Sequence, residues 1–149
     1  MYYIFIVNDF PVNEDRLAAE DIVKKLFARG YWLYTENTPF AENYAPGDKA
    51  VVYVAGIGRR YFSGSFEIAG SVAKNDLQPA DKYEKELFSF FTLASPITAV
   101  EKWKEPVYFD DLIGELSFIN HKDDMALLIK QSAKLISKED YQLILDKAK

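Results

Sequence analysis

The 149-residue sequence predicts an α+β domain, a small mixed sheet or partly closed β-barrel flanked by helices. Three observations carry this expectation. Residues 2–7 and 50–55 are short, nearly continuous apolar and β-branched runs, as expected of strands buried on both faces. Between them Ala19, Ile22, Val23, Leu26 and Phe27 recur at the spacing of one helical face. The order along the chain is strand, helix, several strands, then helices. No repeat, low-complexity tract or linker divides it, so a single domain over 1–149 is expected.

After the first strand, Asn8-Asp9-Phe10-Pro11 reads as a turn. Asn13 is the expected N-cap of the helix, with Glu14 and Asp15 opposing the dipole in its first turn. Lys24, Lys25 and Arg29 fall in the later turns, and Gly30 supplies the stop. Residues 31–44 show no clean period and read as a loop. Pro46-Gly47-Asp48 turns the chain into the second strand, and Gly56-Ile57-Gly58-Arg59-Arg60-Tyr61 forms a glycine-bearing connection. From Ser65 a strict alternation places Phe66, Ile68 and Val72 on one face, predicting a long half-buried strand. Residues 76–86 read as a loop with a helical turn, and 88–100 as a strand bent at Pro96. Asp110 caps a short turn through Gly114. Asp123 and Asp124 open a helix expected to reach about Ile136, and Ser137 caps a last helix that buries Tyr141, Ile144 and Leu145.

With 49% hydrophobic and 28% charged residues, the composition excludes intrinsic disorder. No stretch approaches the ~18 apolar residues of a membrane span, so no membrane partner is expected. Cysteine is absent, which removes disulfides, a thiolate nucleophile and thiolate-held metals. The first residues lack a basic segment and a small-residue cleavage site, and a cytoplasmic location is expected. The net charge is −5; residues 1–75 carry 8 basic and 9 acidic side chains, the remainder 10 and 14. No block of one sign stands out, which weighs against non-specific duplex binding but leaves room for one nucleotide held in a pocket. Aromatic residues make up 15%, and most are expected in the core.

Catalytic motifs are missing. The single histidine, His121, has neither a second ligand nor an orienting partner beside it in sequence. No Gly-x-Ser-x-Gly elbow or phosphate-binding P-loop occurs. The segment 56–61 begins like a dinucleotide fingerprint, yet its sixth position is Tyr61 and a strand follows. Asp110-Asp111 and Asp123-Asp124 lie where helices should begin, and N-capping accounts for both pairs. No cofactor, metal or catalytic residue is therefore assigned. Arg59-Arg60 is the one basic dyad on a glycine-bearing loop. It reads either as a solvated hairpin tip or as a phosphate contact, since guanidinium forks match phosphate oxygens.

Four stretches, taken in order, resemble the EVE branch of the PUA-like superfamily. They are the opening strand ending in Asn8; Tyr31-Trp32 with Pro46-Gly47-Asp48-Lys49 and Val51-Val52-Tyr53-Val54; the strand with Gly64 and residues 66–68; and Phe109-Asp110-Asp111-Leu112-Ile113, Leu116-Ser117-Phe118-Ile119 and Ser137-Lys138-Glu139-Asp140-Tyr141. The resemblance implies a PUA-like, partly closed barrel with a pocket between the first strand's end, the tryptophan-bearing segment and the barrel wall. EVE-type domains are regarded as readers of modified bases in DNA, and related PUA-like modules bind RNA. On this resemblance Asn8 matches the polar residue ending strand one, Trp32 the tryptophan before the Pro-Gly-Asp turn, and Tyr53 the aromatic in the next strand. Lys130-Gln131-Ser132 falls near a segment where relatives carry polar and basic side chains. Three features depart from the pattern: Trp32-Leu33-Tyr34 stands where relatives often have Trp-Gly-Val, the first helix is longer than usual, and Tyr3 stands where a tryptophan is common.

The expected function is a non-catalytic nucleic-acid binding module that reads a modified or flipped nucleobase in an aromatic pocket. Trp32 stacks, Asn8 and Ser132 hydrogen-bond, Gln131 joins the pocket, and Arg59, Arg60 and Lys130 meet phosphates. Trp32 reads alternatively as a core anchor under the first helix, and Asn8 as a turn residue before Pro11. Tyr53, placed in the pocket by the resemblance, reads from its strand more as core. Stacking contributes ~1–3 kcal/mol per base, and an added methyl about the same in discrimination. An enzyme acting on a nucleotide or RNA would instead need a carboxylate in the pocket, away from helix caps. A small-molecule sensor would need a closed cavity with no basic rim.

Overall fold

β1 (Tyr2–Val7) lies one strand in from the end of the sheet, parallel to β5 (Lys49–Val54) on one side and antiparallel to β9 (Ala133–Ile136) on the other. The computed structural model describes residues 1–56, 58–118 and 132–148. Beyond β5 the sheet continues through β6 (Tyr61–Ile68) and the long β8 (Leu93–Tyr108) to β4 (Tyr31–Tyr34). The strand order is β4-β8-β6-β5-β1-β9, and the short β7 (Ala73–Lys74) also pairs with β8. The architecture is α+β, with the sheet curled into a half-barrel. Register shifts within β6 and β8 are of the kind that bend a sheet. At Gly64 a Cβ would come within 2.5 Å of the Glu101 carbonyl oxygen, so only glycine permits this approach of β6 to β8.

Both sheet faces are covered, which is why β1 and β5 read as unbroken apolar runs. Tyr3, Phe5, Val52, Val54 and Phe66 face α1 (Ala19–Arg29) in one core. Ile4, Ile6, Val51, Tyr53 and Phe62 form a second core with a 3-10 turn (Phe109–Leu112) and α3 (Lys138–Lys147). The apolar stripe of α1 is buried as its spacing predicts, and Gly30 ends the helix at φ 74°, its N–H bonded to the Leu26 carbonyl at 2.9 Å. Ser137 caps α3 by accepting the Asp140 N–H at 3.1 Å.

Several boundaries differ from expectation. Asn13 does not cap α1; at φ 55° it turns a hairpin between β2 (Phe10–Val12) and β3 (Asp15–Leu17). Asp9 takes the cap's role, its carboxylate accepting the Ala19 N–H at 2.9 Å. Residues 31–34 are strand β4, too short and uniformly apolar to show a period. β6 begins at Tyr61 and ends at Ile68, and does not reach Val72. The 76–86 segment leads into α2 (Lys82–Phe90), capped by Asp81 accepting the Glu84 N–H at 2.9 Å. β8 consequently starts only at Leu93. Residues 133–136 are strand β9, held by the backbone of β1 and not helical. His121 and the Asp123-Asp124 pair lie outside the described residues.

Candidate functional site

Beyond the end of β1, the β2–β3 hairpin, β4 and the last turn of α2 surround a cleft of about 660 Å³. Trp32 from β4 forms part of its floor and is only 5% exposed. Its indole packs against Phe66 (centroids 5.1 Å apart) and lies nearly parallel to Phe5 (5.7 Å, 22°). The floor is therefore a fixed aromatic block. Behind it the Tyr34 hydroxyl lies 2.8 Å from Ser95 Oγ, and burial raises the Tyr34 pKa.

A second aromatic group stands at the mouth. Phe10, Phe90 and Phe91 contact one another at centroid distances of 5.0–6.0 Å, and Phe90 is 59% exposed. Between the two groups run Ile22, Leu26 and Leu87. The polar lining consists of neutral side chains: Asn8, Thr35, Asn37, Thr38 and Ser132. Two of these are pinned, Thr38 Oγ1 accepting the Thr35 N–H (2.9 Å) and the Ser132 carbonyl accepting the Ile6 N–H (2.9 Å).

Asp9 is the charged exception among the described lining residues. Its Oδ1 accepts from Arg59 Nη1 at 2.8 Å as well as from the Ala19 N–H, and its Oδ2 lies 3.1 Å from Arg16 Nη1. The Arg59 hydrogen bond is the main reason its pKa falls below the usual carboxylate range. Partial burial opposes this, and the Ala19 N–H and then the charges of Arg59 and Arg16 add to it. Arg59 also donates to Glu20 Oε1 at 2.8 Å, and its own pKa is raised, chiefly by Asp9. The guanidinium folds back over Gly56, where a Cβ would meet Nη2 at 2.5 Å; the positive φ of 126° there also favours glycine.

Of the residues singled out in the sequence, Asn8, Trp32 and Ser132 come together in this cleft. Tyr53 does not. Neighbouring strand residues face opposite sides, and Val52 and Val54 take the cleft-side core, which leaves Tyr53 buried in the other one against Phe62 at 5.2 Å. Its hydroxyl has no hydrogen-bond partner among the described residues. Arg59 is occupied by two carboxylates, whereas Arg60, at φ 53°, lines a separate hollow with Tyr108 and Asp110. Lys130 and Gln131 lie outside the described residues. Sequence reasoning missed Phe10, Phe90, Phe91 and the 35–38 cluster. Two adjacent phenylalanines, Phe90 and Phe91, at the C-terminal end of a helix whose buried apolar residue is Leu87 were the available signal.

The model of the EVE domain family matches residues 10–147. No curated protein matches the chain. Similar solved structures include a Pseudomonas syringae protein, at 17% identity and TM-score 0.65, with 100% of both chains covered. Human THYN1, in complex with DNA containing 5-methylcytosine, is similar at 10% identity and TM-score 0.62, covering 99% of this chain and 97% of that one. The YTH domain of Zygosaccharomyces rouxii MRB1, in complex with N6-methyladenosine RNA, is similar at 16% identity and TM-score 0.57, covering 99% and 87%. At these identities the likeness is one of fold, and the fold is PUA-like.

Proposed function

The chain belongs to the EVE domain family, and on that premise we propose that it is a non-catalytic module that binds nucleic acid by receiving a modified, unstacked base in the cleft beyond β1. The observation that carries this reading is the cleft's chemistry: aromatic surfaces at floor and mouth, with uncharged hydrogen-bonding groups between. A planar, neutral heterocycle fits that combination. Its faces meet apolar ring surfaces, and its edge meets amide and hydroxyl groups. Trp32 supplies the floor; Phe10, Phe90 and Phe91 close the mouth; Asn8 and Ser132 read the edge. The complexes of human THYN1 and the yeast YTH domain with methylated nucleic acids support the ligand class.

The enzyme alternative requires a carboxylate free to take a proton. Asp9 reaches the cleft, but it caps α1 and is held ionised by Arg59, which makes it a weak base. This favours binding without catalysis. The test is a binding panel of short labelled duplexes and RNAs, each carrying one 5-methylcytosine or N6-methyladenosine, against unmodified controls. At least one modified probe is expected to bind more tightly than its control, and Phe90→Ala is expected to reduce that preference. Equal affinity for every modified and unmodified pair would overturn the reading.

A further inference from the structure

We infer that Arg16 makes the backbone-phosphate contact at the mouth of the cleft, with Asp9 as its resting partner and Arg59 as the anchor that lets it leave. The inference rests on the base-binding reading above and extends it to a residue that the sequence alone did not single out.

Arg16 sits on β3 directly opposite Pro11, and Pro11 lines the cleft. Cross-strand neighbours project on the same side of a hairpin, so Arg16 shares the exposed face of Pro11, opposite to that of Phe10, and its guanidinium reaches the rim of the cleft at Asp9. Its side chain is 73% exposed, whereas that of Arg59 is 23% exposed. The two arginines share one carboxylate but are bound to it differently. Arg59 is held by Asp9 and Glu20 and packed over Gly56, so turning outward would break two ion pairs. Among the described residues the Arg16 guanidinium has one ion-pair partner, Asp9 Oδ2 at 3.1 Å. If it turns outward, Asp9 keeps Arg59 Nη1 and the Ala19 N–H, and Arg16's charge is the least of the causes holding that carboxylate ionised. An exposed ion pair of this kind is weak, and a phosphate offers a guanidinium the same forked geometry as a carboxylate. The neighbouring Asp15 holds other groups, its Oδ2 accepting from the Tyr83 hydroxyl at 2.5 Å and its Oδ1 from the Arg16 backbone N–H at 2.8 Å. A nucleotide entering between Phe10 and Trp32 would thus bring its 5′ or 3′ phosphate to a mobile cation, while the immobile one keeps the rim in place.

The test compares the full chain with Arg16→Gln, Arg16→Lys and Arg59→Gln. Fluorescence anisotropy follows the 5-methylcytosine duplex and the N6-methyladenosine RNA between 50 and 200 mM salt, and calorimetry follows the matching free nucleosides. For whichever oligonucleotide binds, Arg16→Gln is expected to lower the slope of log affinity on log salt by about one contact, or roughly threefold across that range. Nucleoside affinity stays unchanged, and Arg16→Lys keeps the parent slope. Arg59→Gln is expected to weaken nucleoside and oligonucleotide alike with no change of slope. An unchanged slope in Arg16→Gln, with the parent chain still preferring a modified probe, overturns the assignment of Arg16 and leaves the cleft reading standing. No binding of any probe by the parent chain overturns both.

Discussion

Glu84, at the start of α2, is bonded to Arg29, in the last turn of α1, and this pairing fixes the distance between the two helices that flank the cleft. Glu84 is 5% exposed; Lys25 Nζ stands 3.5 Å from Oε2, and the Ala80 N–H donates at 2.9 Å to Oε1, the oxygen that Arg29 holds. Because α2 ends in Phe90 and leads into Phe91, the pair also sets where the aromatic mouth stands.

Glu84→Ala is therefore expected to cost about 2 kcal/mol, since Arg29, Lys25 and the Ala80 N–H lose a buried acceptor, although these partly exposed donors recover some hydration. Urea unfolding measures the loss, and the midpoint should fall without a change of slope.

The Asp9 carboxyl titrates below its usual 3.8 because of Arg59 and the Ala19 N–H. A depressed carboxyl stabilises the fold fully above the unfolded value, and the contribution disappears as pH drops through the folded one. Asp9→Asn should be less stable than the parent by roughly 1–3 kcal/mol at neutral pH. The gap should narrow below about pH 4. Urea midpoints from pH 3 to 7 decide this; a gap independent of pH would refute the linkage.

Tyr53→Phe removes a buried hydroxyl that has no described partner. Its effect should lie between zero and about 1 kcal/mol of added stability, with nucleic-acid binding unchanged because the residue faces the other core. The Tyr53 phenol is pushed up to about 12, mainly by burial, with Arg60 opposing and Asp110 adding. A raised phenol supports the fold below pH 10, and this support is lost as pH rises towards 12. The alkaline decline in thermal stability should accordingly be shallower in the variant.

Trp32→Ala and Phe90→Ala should separate structure from binding. Trp32 is enclosed by Phe5, Phe27 and Phe66, and its truncation should cost about 3–5 kcal/mol. Phe90 is largely exposed, so Phe90→Ala should leave the melting temperature within a few degrees while weakening a stacked ligand by about 1–3 kcal/mol. Paired calorimetry and binding curves provide the check.

The strands around Phe5 and Val52 were readable in the sequence because burial on both faces writes an uninterrupted apolar run. The α1 stripe and the Gly30 stop were readable because a helix face and a left-handed residue each leave a local mark. Asn13 misled because the same residue type serves N-caps and hairpin turns, and the actual cap, Asp9, sits ten residues from the amide it accepts. Residues 133–136 were assigned to a helix because the partner that makes them a strand is β1, at the far end of the sequence. The same separation explains the site. Asn8, Trp32 and Ser132 were singled out through their place in a known pattern, but Phe90 joins them only through tertiary contact. Tyr53 fell on the wrong side because the parity of a strand decides its face, and a six-residue apolar run does not reveal that parity.

The pairing of β9 with β1, and the Ile6 N–H bonded to the Ser132 carbonyl, bear on how the molecule is made. During synthesis β1 leaves the ribosome long before residue 132 does, so the cleft stays open on one side until residues 132–136 have emerged. A nascent fragment presents Phe5, Trp32 and Phe90 without their finished enclosure, and such surfaces attract chaperones before they attract any base. Binding competence should therefore appear only once residues 132–136 have emerged and paired with β1.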